Sequence, residues 1–261
     1  KLLDPQSKIG YFDHHFELLQ SPSNPNQKYS LADAIAIQRN RFETLKEGFI
    51  PDDQYDKRGA DGRPEVKSAY DGDTYKFAPG NENVVDAQIK QGLPASMASI
   101  MWLSNAPSRN TPYIPFYGTV TDTHPSFKPQ DFTYNPNSFY WVAWHIDQMV
   151  MQNQNLFGSS IKQKWIALEK REEAEQRARD AKYRGKTDAQ AAQLSGEVTR
   201  DALARSEKLF NEMKALEKQM MQTIKAKGGK DDAIAVLEEK VRAAKADTAK
   251  TENATEGVTA K

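Results

Sequence analysis

The side chains in this chain best suited to hold a metal or move a proton near neutral pH are its four histidines. His14 and His15 are neighbours, so in a helix or a strand their rings point to different sides and cannot easily chelate one ion. His124 lies in the turn-like stretch Thr121-Asp122-Thr123-His124-Pro125, and His145 in an aromatic run. No two histidines share the His-x-x-x-His spacing of a helical zinc site, so neither a metal nor a cofactor is expected. Serine chemistry fares no better. There is no Gly-x-Ser-x-Gly elbow, and Gly158-Ser159-Ser160 is expected to precede or cap a helix. The chain has no cysteine, which removes disulfides, thiolate metal sites and a cysteine nucleophile from its own residues. A self-contained active site is therefore not found among them.

The background charge adds no partner. Lys plus Arg number 36 and Asp plus Glu 36, so no net field draws nucleic acid or an anionic membrane. No apolar run approaches the roughly 18–20 residues that span a bilayer. The opening Lys1-Leu2-Leu3-Asp4-Pro5 lacks a signal-peptide stretch, and we expect it to be an internal cut or a processed end.

Two compositions divide the chain. Residues 11–165 are rich in aromatics, Pro and Asn, whereas from 169 onward Pro and Trp vanish and Ala, Lys, Glu, Arg and Gln dominate. We place a domain boundary near Lys164, giving residues 1–164 and a charged helical extension, residues 165–261. In the first part, Ser30-Leu31-Ala32-Asp33 reads as a capping box that starts a helix over residues 34–46, with Leu31, Ile35, Phe42 and Leu45 on one face. Residues 50–83 read as a long surface loop. Residues 84–89 and 98–103 have the pattern of antiparallel strands joined through Gly92-Leu93-Pro94. Residues 113–117 form a third extended piece whose proline argues for a sheet edge or the end of a strand, and residues 138–152 a mostly buried helix.

In the extension, Leu203, Leu209, Phe210, Met213, Leu216, Met220 and Ile224 recur at helical steps over about residues 188–225. Gly228-Gly229 breaks that helix, and Ile234, Leu237 and Val241 begin a weaker one. The stripe must be covered. The cover could be the second helix folding back as a hairpin, the first region of the chain, or the same helix of a second subunit, and we expect the hairpin. The run Glu169-Lys170-Arg171-Glu172-Glu173 reads as a solvated face, and residues 248–261 as a disordered end.

One stretch carries a resemblance. Residues 88–107, with Gly92-Leu93-Pro94 and Trp102-Leu103, are followed by Tyr113-Ile114-Pro115-Phe116-Tyr117-Gly118, and later by Tyr134-Asn135-Pro136-Asn137-Ser138-Phe139-Tyr140-Trp141. Their order resembles the C-terminal region of the bacterial dipeptidase A family, peptidase C69, relatives of the secernins and of choloylglycine hydrolases. Arg39-Asn40-Arg41-Phe42-Glu43 agrees more loosely. The resemblance covers about residues 29–157 and is not expected to reach the extension. Asp86 and Gln88 stand where members often carry Glu and His.

The resemblance implies an α+β chain forming the C-terminal half of a four-layer αββα N-terminal-nucleophile hydrolase. In that family a cysteine at the mature N-terminus attacks the peptide carbonyl, with its own α-amino group as base. The chain would then supply strands and pocket wall to a thiol dipeptidase, with the cysteine on a further N-terminal segment. On this reading the chain alone is inactive, and its partners are a dipeptide and that segment. Asn105 and Ser108, in the polar stretch after the second strand, either face the substrate cleft or belong to a hairpin loop turned to solvent. The rival is a non-enzymatic interaction protein that keeps the fold and binds through its helical extension.

Overall fold

A computed structural model describes residues 30–39, 83–129 and 133–256. His14, His15, the helix beyond Gln38 and the loop across residues 50–82 lie outside the described residues.

Helix α1 spans Leu31–Gln38. Its start is the expected box: Ser30 Oγ accepts from the Asp33 N–H at 3.2 Å, while the Asp33 carboxylate accepts from the Ser30 N–H at 2.8 Å. Strand β1 (Asn83–Ile89), the single helical turn α2 (Ala95–Ala98), β2 (Ser99–Asn105) and β3 (Ile114–Tyr117) follow. They build one antiparallel sheet with β2 in the middle, in the register Gln88 opposite Ile100 and Ile100 opposite Tyr117. The turn between β1 and β2 passes through Gly92 at φ 76°, a left-handed conformation that other residues rarely adopt. Pro115 is tolerated because β3 is the edge, and its carbonyl accepts from Arg205.

The pleat sends alternate residues to opposite faces, and the faces meet different fates. Ile100, Trp102 and Tyr117 are buried against Ile35 of α1, Met97, and Tyr183 and Val198 from the later helices. On the other side Ile114 and Phe116 enter the larger core, but Met101, opposite Phe116, stays 42 % exposed and Ile89 73 %.

After a short 3-10 turn (Pro125–Phe127) come α3 (Phe139–Gln152), α4 (Gln154–Tyr183), α5 (Asp188–Gln193), α6 (Ser195–Lys227) and α7 (Ala233–Glu256). Ser138 caps α3 by accepting the Trp141 N–H. Eleven of its residues are buried, among them Phe139, Trp141, Val142, His145, Ile146 and Met149, as expected for a helix apolar on several sides. Gly228, at φ 71°, ends α6 as foreseen.

Two expectations are corrected here. Gly158 lies inside α4, not ahead of a helix. The stripe Leu209, Met213, Met220 and Ile224 is covered by α3 and not by a hairpin partner, because aromatic α3 offers more apolar area than the thin stripe of α7. That thin stripe, from Ala233 to Leu237, rests instead on Trp141 and Trp144. The change of composition near Lys164 also falls within α4, and Ile161, Trp165 and Leu168 share one core with α3 and α6. The extension is thus part of what buries the first region. Helix α7 runs as far as Glu256.

Candidate functional site

The stretch between β2 and β3, residues 106–113, is polar in sequence yet buried, with Ser108, Arg109, Asn110 and Thr111 each 5 % exposed or less. Buried backbone groups must find partners, and here three elements supply them. From the end of α1, Arg39 Nε donates to the Ser108 carbonyl at 3.0 Å and Nη2 to the Thr111 carbonyl at 2.7 Å. Both of its terminal nitrogens also donate to the Glu169 carboxylate of α4, a two-pronged pairing that only a planar guanidinium can make. Glu169 Oε1 in turn accepts the Tyr113 N–H at 2.9 Å. The guanidinium carbon lies 5.3 Å from the centre of the Tyr113 ring.

The other side of the loop is tied to α3 and α4. Asp147 accepts from Arg109 Nε at 2.9 Å, Arg109 Nη2 at 3.0 Å and Asn110 Nδ2 at 2.9 Å. Trp165 Nε1 donates to the Asn110 carbonyl at 2.6 Å. A loop held this way has lost its conformational freedom before any ligand arrives, which is the property a binding wall needs. Arg39 and Glu169 also line a cavity of ≈ 380 Å³ between α1 and α4, walled by Leu31, Ile35 and Ile166. Arg39 and Glu169 neutralise each other there, and Lys162, Lys170 and Glu173 also line it.

Ser108 is in this clamped loop, so the reading of a hairpin turned to solvent is set aside for it. Asn105, the last residue of β2, is partly buried at the loop's entrance. Thr111 Oγ1, Trp102 Nε1 and Gln88 Oε1 are buried without a hydrogen-bond partner among the described residues.

The two described histidines, His124 and His145, have separate partners. His124 caps the 3-10 turn, its Nδ1 2.8 Å from Ser126 Oγ. His145 sits inside α3 between two carboxylates. Among the described residues no group of His, Asp and Glu could hold a metal, and no helix is long and apolar enough to cross a membrane.

Residue-type reasoning missed Arg39 and Glu169 as a pair. Glu169 belongs to the charged run read as a solvated face, and that reading fails for Glu169 and Glu172, which are 8 % and 9 % exposed. A signal was present: Trp165, Leu168, Glu169, Glu172 and Gln176 recur at helical steps, so the apolar stripe of α4 runs straight into charged residues.

Comparison with known proteins follows the same ground. The profile of peptidase family C69 matches residues 3–166. A probable dipeptidase B of Streptococcus pyogenes serotype M1 is 36% identical over 226 residues, which is 85% of this chain and 43% of that protein. The dipeptidase A of Lactobacillus helveticus is 26% identical over 195 residues, 74% of this chain and 38% of that protein. A match of 226 residues cannot fit within the first 166, so similarity continues into the extension, contrary to expectation. The chain spans less than half the length of these curated relatives.

Proposed function

The chain belongs to peptidase family C69, and we propose that it forms the C-terminal portion of a dipeptide-hydrolysing enzyme whose nucleophilic cysteine lies on a segment outside this sequence. Relatives named as dipeptidases support the substrate class. The observation that carries the division of labour is a sheet covered unevenly. Helices cover the face bearing Ile100 and Trp102, and on the opposite face Ile114 and Phe116 are buried while, among the described residues, Ile89 and Met101 are exposed. A second sheet laid on that face would complete an αββα sandwich of the N-terminal-nucleophile kind, and the cysteine would come with it.

In that assembly the chemistry belongs to the missing thiol and its α-amino group, since this chain has no cysteine. What this chain adds is the wall. Asn105 at the loop's mouth would hydrogen-bond the dipeptide backbone, and Ser108 would shape the surface behind it. Arg39, Glu169 and Asp147 are positioning residues: they hold the loop that follows Asn105 at Ser108, Asn110 and Tyr113.

The test is reconstitution. Residues 1–261 alone should not hydrolyse a dipeptide, whereas joining them to the N-terminal half of a C69 relative should restore turnover that alkylation of the thiol abolishes. Hydrolysis by the chain alone that resists alkylation would sink the proposal. In the reconstituted enzyme Asn105→Ala should raise KM more than it lowers kcat.

A further inference from the structure

The turn joining α6 to α7 is fastened to the end of α3 by polar contacts that its length does not demand. Asn153 Nδ2 donates to the Lys230 carbonyl at 2.7 Å, and the Lys230 N–H donates back to Asn153 Oδ1 at 2.8 Å. Gln152 Nε2 donates to Asp232 at 2.7 Å, and Asp232 pairs with Lys230 at 3.0 Å. The remaining contact is of a different kind. His145, 1 % exposed, has Nδ1 2.8 Å from Glu217 Oε1 of α6 and Nε2 2.8 Å from Asp231 Oδ1 of the turn.

An ionised carboxylate can only accept hydrogen bonds, so both ring nitrogens must carry hydrogen for both contacts to form. That requires the imidazolium. We propose that His145 is a proton-operated latch: protonated, it bridges α6 and the α6–α7 turn, and on losing its proton it gives up Asp231 and loosens the turn, which is then left to Asn153, Gln152 and the tryptophans.

The groups facing the ring decide which contact yields. Glu217 comes from α6, Asp231 from the turn, and Tyr134 from the segment ahead of α3, its ring edge-on to the imidazole at 5.6 Å. Tyr134 OH donates to the same Glu217 oxygen at 2.8 Å, and burial beside that carboxylate pushes the phenol's pKa up, so this bond persists. A neutral imidazole keeps one N–H. Its partner is then the better-buried Glu217, whose side chain is 9 % exposed, while Asp231 at 23 % can turn to water. Lys230 and Asp232, on either side of Asp231, stay on Asn153 and Gln152, and beyond the turn α7 rests on the tryptophans through Ala233, Ile234 and Leu237.

Burial pulls the His145 pKa down, but hydrogen bonds and charge from Glu217 and Asp231 together outweigh it and hold the pKa above the ordinary 6.5. A raised pKa in the docked state makes docking complete below the ordinary value and lost as pH rises through the raised one. The window is therefore on the alkaline side of about 6.5.

Peptide-resolved hydrogen exchange on the complete protein, between about pH 6 and 9 and corrected for intrinsic rates, tests this. Protection over residues 228–237 should fall about tenfold or more with rising pH, the equivalent of one charge-assisted hydrogen bond, while residues 139–150 keep theirs. Asp231→Asn should abolish the pH dependence, because an amide can donate to a neutral ring or accept from either form. Protection that does not change with pH in the unsubstituted protein overturns the latch, and so does a fall that Asp231→Asn reproduces.

Discussion

Two buried polar knots tie the helices of this chain to each other, and they differ in the cation at their centre. The first uses Arg39 to join α1, the β2–β3 loop and α4, and the second uses His145 to join α3, α6 and the α6–α7 turn. Guanidinium stays charged at any pH a protein meets, so the loop keeps its shape unconditionally. Imidazole does not, and what it holds is a peripheral turn whose loss leaves the core in place. The permanent charge thus sits under the proposed binding wall, and the conditional one at the rim.

The largest challenge to that contrast is deletion of residues 169–261 from the complete protein. It removes Glu169 and the side chains Leu209, Met213 and Met220 that cover α3, and the cooperative unfolding transition seen by circular dichroism should disappear. A truncation that still unfolds cooperatively would return the extension to an accessory role. Next in size, Glu169→Ala leaves a buried guanidinium without its carboxylate and should cost about 3–5 kcal/mol in denaturant unfolding. Adding Arg39→Met should cost less than the sum of the two single changes, since the stranded charge goes too.

Trp102→Ala removes a side chain with no exposure from the covered face of the sheet and should also cost about 3–5 kcal/mol. Its buried Nε1 has no partner among the described residues, so Trp102→Phe should cost only about 1.5 kcal/mol or less; a larger loss would reveal a bond to that nitrogen. The smallest effect belongs to Glu173→Gln. Glu173 stands four residues beyond Glu169 in the same charged run but pairs with an exposed Arg177, and its loss should cost about 0.5 kcal/mol or less. Equal costs at 169 and 173 would mean that the first knot is not desolvated.

Sequence by itself determined the local elements. The Ser30–Asp33 box, the three strands, the aromatic helix and the stop at Gly228 were all legible, because each depends on residues within a turn or two of one another. Tertiary structure alone decided how they combine. Arg39 meets Ser108 across 69 positions and Glu169 across 130, and no periodicity reports such a meeting. Whether a glutamate in a charged run is solvated or buried depends on what packs over its helix, and α4 is overlaid at Glu169 but open at the Glu173–Arg177 pair. Likewise an apolar stripe states that it must be covered and not by what. The helix with more apolar surface to offer, α3, took the place expected of α7.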